Sequence, residues 1–346
     1  MLKIGFVNFT PLKYDVETPY NEPLGGSESS MCYLAEHLAK LGHQVILFRK
    51  NKEEFQKRKV KHLEVNKIVT TPLDVLIIQN TPYFGLEIRE RIDKNTKLIL
   101  WSQHASNQPA VSCLKDKKYQ EAFDKIVLLS DWQIEDYINN FNIDHQKIIK
   151  LKNAISPAFE NLDVTKKRPW SYAYTSTPFR GLVLLPEIFT MIKKVRKDAT
   201  LDLFSSMKVY QSDDGDYEEI FKDLKRVKDT NLVGSLSQTK LAEKLAKISY
   251  LIYPNIFKET ACISVMEAMA AGCQVITSNL GALSETSAGF ARLIDIDGDA
   301  QRYKNKFVES SIQEIEKENI KKQVEYMNRY MNWKVRSKEW EMFLSK

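Results

Sequence analysis

Residues 250–277, YLIYPNIFKETACISVMEAMAAGCQVIT, hold a complete fold signal within 28 positions. A short apolar run at 250–253 is rich in strand formers, and a polar loop follows it. Strong helix formers then run to a stop at Gly272, and a second apolar run occupies 274–277. Strand, loop, helix, glycine and strand in that order make a crossover unit of a parallel sheet.

The same alternation extends in both directions. Strands are expected at 2–7, 44–48, 74–79, 97–101 and 125–129, then at 172–175, 199–204, 250–253, 274–277 and 291–294. Between the first two, Met31, Leu34, Ala35, Leu38 and Leu41 fall on one helical face that Gly42 ends. With 346 residues the chain is long enough for about two domains. The break falls between Asn153 and Trp170, where Pro157 and Pro169 flank a polar stretch. The expectation is an α/β protein of two doubly wound units. The domains are expected at 1–160 and 161–325, with a terminal helix at 326–346 whose tryptophans, Trp333 and Trp340, dock it onto the body.

Composition excludes several classes. A hydrophobic content of 43% with 28% charged residues is that of a globular chain. The net charge of +6 is too small to announce nucleic acid as a partner. No apolar run approaches the ~18 residues that span a bilayer, so membrane contact is expected to be peripheral at most. Arg49, Lys50, Lys52, Lys57, Arg58, Lys59, Lys61 and Lys67 form a basic run, read first as a solvated helix face and loop and second as a face toward anionic lipid. Cys32, Cys113, Cys262 and Cys273 have neither paired spacing nor neighbouring histidines, which fits a reduced cytoplasmic compartment and no zinc site. The clusters Asp213, Asp214, Asp216 and Asp295, Asp297, Asp299 lack the calcium-loop spacing and read as turns. His37, His43, His62 and His145 read as structural or exposed.

In open α/β sheets ligands bind outside the carboxyl ends of the strands, so the loop from Pro254 to Cys262 is the first candidate site. Thr260, Ala261 and Cys262 lie where free backbone N–H groups open a helix and suit a phosphate or a sugar oxygen. Glu259 and Glu267 are eight apart, about 80° around a helix, so both lean to one side. They fit an acid/base pair, hydroxyl acceptors for a sugar, or metal ligands. Glu267 sits among Val265, Met266, Ala268 and Met269, where a carboxylate is costly unless paired.

The segment Glu259–Gly272 resembles the motif of family 4 retaining glycosyltransferases of the GT-B fold: glutamate, seven residues, glutamate, then a small-residue turn to glycine. Further similarities follow along nearly the whole chain. They are Gly25-Gly26-Ser27-Glu28 before a helix, Gln103-His104 after a strand, 130–133, 153–155, and Phe179-Arg180-Gly181 at a helix start. The resemblance implies two Rossmann-like domains facing a cleft, with the terminal helix crossing back. It also implies transfer of a sugar from a UDP- or GDP-linked donor to a glycan, lipid-linked or other hydroxyl acceptor, with retention and without metal or other cofactor.

Residue by residue, the resemblance implies that Arg180 neutralises the leaving diphosphate and that Glu259 contacts hydroxyls of the donor sugar. Glu267 would accept from the ribose, His104 would lie near the transferred sugar, and Gly25 and Gly26 would let backbone N–H groups approach the donor. The sequence departs from the family at Thr175, where many members carry a second arginine; Lys208 and Lys258 are the candidates to replace it. An epimerase or a phosphorylase on the same fold would need an acid/base set or a buried cofactor lysine, neither of which is evident. A non-catalytic nucleotide or sugar binder is the remaining alternative, and the missing arginine is its best support.

Overall fold

The structure, a computed structural model, describes residues 1–50 and 53–346. The chain forms two compact units. The first comprises Met1–Pro19, Gly26–Ala154 and Trp333–Lys346, and the second comprises Tyr20–Gly25 and Ile155–Asn332. Each holds a sheet that is parallel almost throughout, so the strands are buried on both faces and read as continuous apolar runs.

In chain order the strands of the first unit are β1 (Lys3–Val7), β2 (Gln44–Arg49), β3 (Phe55–Lys57), β4 (Val60–Glu64), β5 (Val75–Gln79), β6 (Lys97–Trp101), β7 (Lys125–Leu128) and β8 (Ile148–Lys150). Those of the second are β9 (Arg168–Tyr174), β10 (Thr200–Leu203), β11 (Thr230–Leu232), β12 (Ile248–Tyr253), β13 (Gln274–Ser278) and β14 (Arg292–Ile294). The first sheet runs β3-β4-β2-β1-β5-β6-β7-β8 and the second β11-β10-β9-β12-β13-β14. In each, the winding reverses direction once, between β1 and β5 in the first and between β9 and β12 in the second. Those reversals open crevices at the carboxyl ends of the two pairs.

The quoted segment folds as read: β12 pairs in parallel with β13, Tyr253 opposite Thr277. The helix between them spans Ile263–Ala270. Gly272 at φ +72° ends it, with Cys273 N–H bonded to the Ala268 carbonyl and Gly272 N–H to that of Met269, the 6→1 and 5→2 pair of a glycine-terminated helix. Because the helix starts at Ile263, Glu259 lies on the loop before it. The 80° relation between Glu259 and Glu267 therefore does not apply.

The basic run is corrected too. It forms an antiparallel hairpin of β3 and β4, with Lys57 opposite Val60. Arg58 and Lys59, both at positive φ, make a two-residue turn of the kind whose twist suits a hairpin. β4 also adds to the parallel sheet beside β2, and Val60 and His62 are buried beneath the charged face. Burial, then the neighbouring Arg49, pushes the His62 imidazole down to about 4. Lys52 lies outside the described residues.

The units divide at Ala154/Ile155 rather than at 160, and the chain returns to the first unit at Trp333 rather than at 326. The C-terminal pattern is two helices, Lys317–Tyr330 and Trp333–Leu344. Only the later one carries the buried tryptophans: Trp340 meets Trp101 edge-on at 5.1 Å and Trp333 lies 6.1 Å from Tyr33. Each buried tryptophan removes ~150–250 Å² from water, a gross gain of about 4–6 kcal/mol, which fixes where the terminal helix rests. Of the acidic clusters, Asp214 accepts from Ser206 Oγ and Met207 N–H, and Asp299 caps the helix Ala300–Ser311.

Candidate active site

In the second unit the loops after β9 and β12 meet at the sheet's reversal. The Glu259 carboxylate is 4% exposed. Its Oε1 lies 2.5 Å from Arg180 Nη1 and accepts from the Tyr253 hydroxyl at 2.6 Å. Ser176 Oγ donates to that hydroxyl at 3.4 Å. The Arg180 guanidinium carbon sits 4.4 Å from the Phe257 ring centroid and 5.3 Å from that of Phe179, two rings that meet edge-on at 5.7 Å, so the cation rests against an aromatic pair. Burial opposes the charge on Arg180, but the Glu259 carboxylate overrides it and holds the guanidinium well above its ordinary range. Burial, then Glu259, pushes the Tyr253 phenol well up, so it is a neutral donor.

Two glycines lock this arrangement. Gly181, at φ +115°, lies so close to the β12 loop that a Cβ there would come 2.0 Å from the Pro254 carbonyl oxygen. Gly281, at φ +64°, faces Glu259 itself, and a Cβ would come 2.4 Å from its carbonyl oxygen. That carbonyl also accepts from Ala282 N–H at 2.7 Å. Sequence reading selected Gly181 and missed Gly281, whose only local signal is a glycine shortly after the end of β13. Thr260 and Cys262 are buried beside Glu259, with Ala261 between them. Burial, then the Glu259 charge, raises the Cys262 thiol well above its ordinary value.

Glu267 stands apart from the ion pair. It is 3% exposed, and its Oε1 accepts from the Ser156 N–H at 3.1 Å. Burial pushes its carboxyl up to about 8 against the pull of that N–H. The folded value therefore lies above the unfolded one. Stability from the bound proton is complete below about pH 4.5 and is lost as pH rises toward 8, on the order of 5 kcal/mol across the window. Glu267→Gln is expected to lack this slope. Its Tm relative to wild type should climb between pH 5 and 8.5, and parallel Tm profiles would contradict the buried, protonated state.

Of the cations considered to replace the missing arginine, Lys208 and Lys258 are both exposed. Lys208 lies in the turn Met207–Tyr210, whose Tyr210 acts electrostatically on Arg180. Thr175 has a buried Oγ1 without a partner, and its carbonyl accepts from Ser264 Oγ. Among the described residues no group of three His, Cys, Asp or Glu side chains is placed to hold a metal ion.

In the first unit, His104 sits at the carboxyl end of β6 on a loop that other side chains pin. Gln133 Nε2 and the Tyr137 hydroxyl both donate to the His104 carbonyl at 2.9 Å. Asn80 Oδ1 accepts from Gln103 N–H at 2.7 Å. The imidazole Nδ1 bonds to Gln108 Oε1. Gln133 lies in the segment 130–133 that carries the resemblance; Tyr137 and Asn80 were not anticipated, because nothing in their spacing announces a distant backbone partner. Gly25 belongs to the second unit and Gly26, the first residue of the helix Gly26–Lys40, to the first; the unit division thus falls inside the glycine pair.

Residues 177–309, which carry Arg180, Glu259, Glu267 and both locking glycines, match the Glycosyl transferases group 1 family model. Comparison with curated proteins gives no sequence match. Among solved structures, WaaG, a glycosyltransferase involved in lipopolysaccharide biosynthesis, is 13% identical with a TM-score of 0.69, the match covering 98% of this chain and 99% of that one. Sucrose-phosphate synthase from Thermosynechococcus elongatus is 14% identical with a TM-score of 0.71, covering 100% and 98%. HepE from Anabaena, solved with UDP and glucose, is 15% identical with a TM-score of 0.73, covering 100% of both chains. The chain thus shares the GT-B fold of these solved structures, and its residues 177–309 match the Glycosyl transferases group 1 family model.

Proposed function

We propose that the enzyme moves a sugar, with retained anomeric configuration and without a metal, from a UDP- or GDP-linked donor to a hydroxyl of a glycan or lipid-linked acceptor. The observation that carries this reading is the Arg180–Glu259–Tyr253 cluster, locked by Gly181 and Gly281 at the reversal of the second sheet. Breaking the bond between sugar and diphosphate puts negative charge on the leaving oxygen and positive charge on the sugar. A permanent guanidinium charge at the phosphate lowers that barrier most, and its planar fork matches phosphate oxygens. Only Nη1 is engaged by Glu259, and a guanidinium has five N–H donors.

Glu259, whose Oε1 is held by both the Tyr253 hydroxyl and Arg180, supplies carboxylate lone pairs for donor-sugar hydroxyls. Glu267 takes the nucleotide ribose; in its protonated state it can donate as well as accept. His104 is the first unit's candidate for a sugar contact. Departure and attack on one face, with the leaving phosphate as base, require no protein nucleophile. The exposed basic hairpin β3–β4 offers a surface for peripheral contact with an anionic membrane. No helix among the described residues is long and apolar enough to cross one.

A thermal-shift panel of nucleoside diphosphates and UDP- and GDP-sugars tests the donor side. A true donor at 100 times its Kd stabilises by about 2.7 kcal/mol, and Glu267→Ala is expected to remove most of that shift. Analysis of the product's anomeric configuration by NMR tests retention. No stabilisation by any nucleotide, with no turnover of any donor, would sink the proposal.

A further inference from the structure

The carboxyl ends of β9 and β12 carry the Arg180 cluster. At the opposite, amino-terminal end of the second sheet, the helices Leu185–Val195 and Glu218–Arg226 run into β10 and β11 and touch each other. Where their last turns meet lies a groove of about 570 Å³ whose polar lining is Lys193, Lys194, Lys197, Arg226, Lys228 and Thr190, with no carboxylate in its wall. Two of the five cations already have partners. Lys193 Nζ pairs with Asp229 Oδ2 at 2.6 Å and donates to the Ala199 carbonyl at 2.9 Å, and Arg226 Nη1 pairs with Asp223 Oδ1 at 2.9 Å. Lys194, Lys197 and Lys228 are exposed and have no carboxylate at ion-pair distance among the described residues.

The helix ends account for part of this charge. A helix C-terminus carries the equivalent of about half a negative charge, so two ends together call for about one cation. Three remain after the ion pairs, a surplus of about two like charges facing one groove. Their mutual repulsion opposes folding, and a bound anion would relieve it. The groove's free side-chain groups also decide which anion. Ammonium and guanidinium groups donate and cannot accept, and Thr190 already gives its hydroxyl proton to the Pro186 carbonyl at 2.7 Å. A wall of donors matches a ligand rimmed with acceptors, and a phosphate monoester has three such oxygens and a charge of about −1.5 to −2 near neutral pH. A nucleobase would find no ring to stack on, since no aromatic residue lines the groove. A peptide would bring N–H donors to a wall of donors.

We infer that the groove at the ends of the helices Leu185–Val195 and Glu218–Arg226 is a phosphate-binding site, separate from the place of the donor diphosphate. Lys197 and Lys228, on the segments entering β10 and β11, hold the phosphate, and Lys194 and Arg226 add donors around it. The group arrives as a free phosphate or as the headgroup of a lipid; the chemistry of recognition is the same. The site uses no residue of the proposed transfer reaction and does not rest on it.

Calorimetric titration of the full chain at low salt with inorganic phosphate, methyl phosphate and acetate tests the site. Phosphate is expected to bind about 10-fold or more tightly than acetate. Lys197→Gln combined with Lys228→Gln, two exposed changes that spare the fold, should weaken phosphate about 10-fold or more. Lys225→Gln, exposed on the same helix but outside the groove, should not. Phosphate bound at Arg180 is the same in all these chains, so the difference between them reads the groove alone. Cosedimentation with vesicles of phosphatidic acid in phosphatidylcholine, against phosphatidylcholine alone, separates the sources. Vesicle binding lost in the double variant assigns a lipid headgroup, and binding of soluble phosphate without vesicle binding assigns a free phosphate. Equal affinity for phosphate and acetate, phosphate affinity unchanged in the double variant, or polyglutamate binding that phosphate does not displace would each overturn the inference. The double variant should also turn over a nucleotide sugar at the wild-type rate. Turnover without a groove phosphate would leave the transferase reading standing, and phosphate held through Lys197 and Lys228 in a chain that transfers nothing would leave the groove standing.

Discussion

Arg180→Ala is expected to lower kcat about 10²- to 10³-fold, the scale on which a single preorganised charge at a developing anion acts, with a smaller effect on donor KM. The variant also leaves Glu259, 4% exposed, without its cation. Breaking a fully buried pair costs about 3–5 kcal/mol. The Arg180 side chain is 21% exposed, so a loss of about 2 kcal/mol is expected, a fall in Tm of roughly 4–8 °C for a unit of this size. Two further variants separate chemistry from stability. Glu259→Gln in the Arg180→Ala background should recover stability by removing the orphaned charge, and it should not recover kcat. Arg180→Lys keeps a charge but loses the fork and the stacking on Phe257, so kcat should fall between wild type and alanine. A kcat unchanged in Arg180→Ala, measured with a saturating donor, would remove Arg180 from the diphosphate.

The second large effect belongs to a residue with no side chain. Gly181→Ala places a methyl 2.0 Å from the Pro254 carbonyl oxygen at φ +115°, where an L side chain is strained in any case and the opposing atom is backbone that cannot rotate away. A loss of at least ~3 kcal/mol is expected, because the Arg180 loop and the Pro254 loop must separate. Gly281→Ala, at 2.4 Å from the Glu259 carbonyl, should behave similarly and displace Glu259. Gly42→Ala is the control. At φ +98° with nothing within 4 Å of its Cβ, it pays only the left-handed penalty of about 1–2 kcal/mol. Urea unfolding midpoints of the three variants give the test. Equal losses at Gly181 and Gly42 would show that the close approach to Pro254 carries no energy. Activity should fall with Gly181→Ala and Gly281→Ala even though Arg180, Glu259 and Tyr253 are all retained, since the ion pair depends on both loops staying in register.

Much of this was legible in the residues. The ten strands read from apolar runs are all present, because a parallel sheet buried on both faces writes itself as continuous Val, Ile and Leu. The four others escaped for particular reasons. β3, β8 and β11 are three residues each, too short for a pattern. β4, Val-Lys-His-Leu-Glu, alternates charge with burial inside a run dominated by lysine and arginine, and the charge masked the alternation. The loop carrying Glu259 was found, but its relation to Glu267 was misjudged, since helix periodicity was extended across four residues that are not helical.

The sequence by itself determined the class of chain, the order of its elements and the strand-end loop and helix that carry Glu259 and Glu267. Those follow from local rules: period, glycine stops, and the cost of a carboxylate among methionines. Tertiary structure alone decided which of them act together. It joined Arg180 to Glu259, 79 residues later, and Asn8 to Gln79, 71 residues later. It gave Glu267 to the Ser156 backbone and turned Gly281 from a loop residue into a wall against Glu259. Such pairings depend on where two strand ends lie side by side once the sheet has wound back on itself. That is a property of strand order, and no spacing along the chain records it.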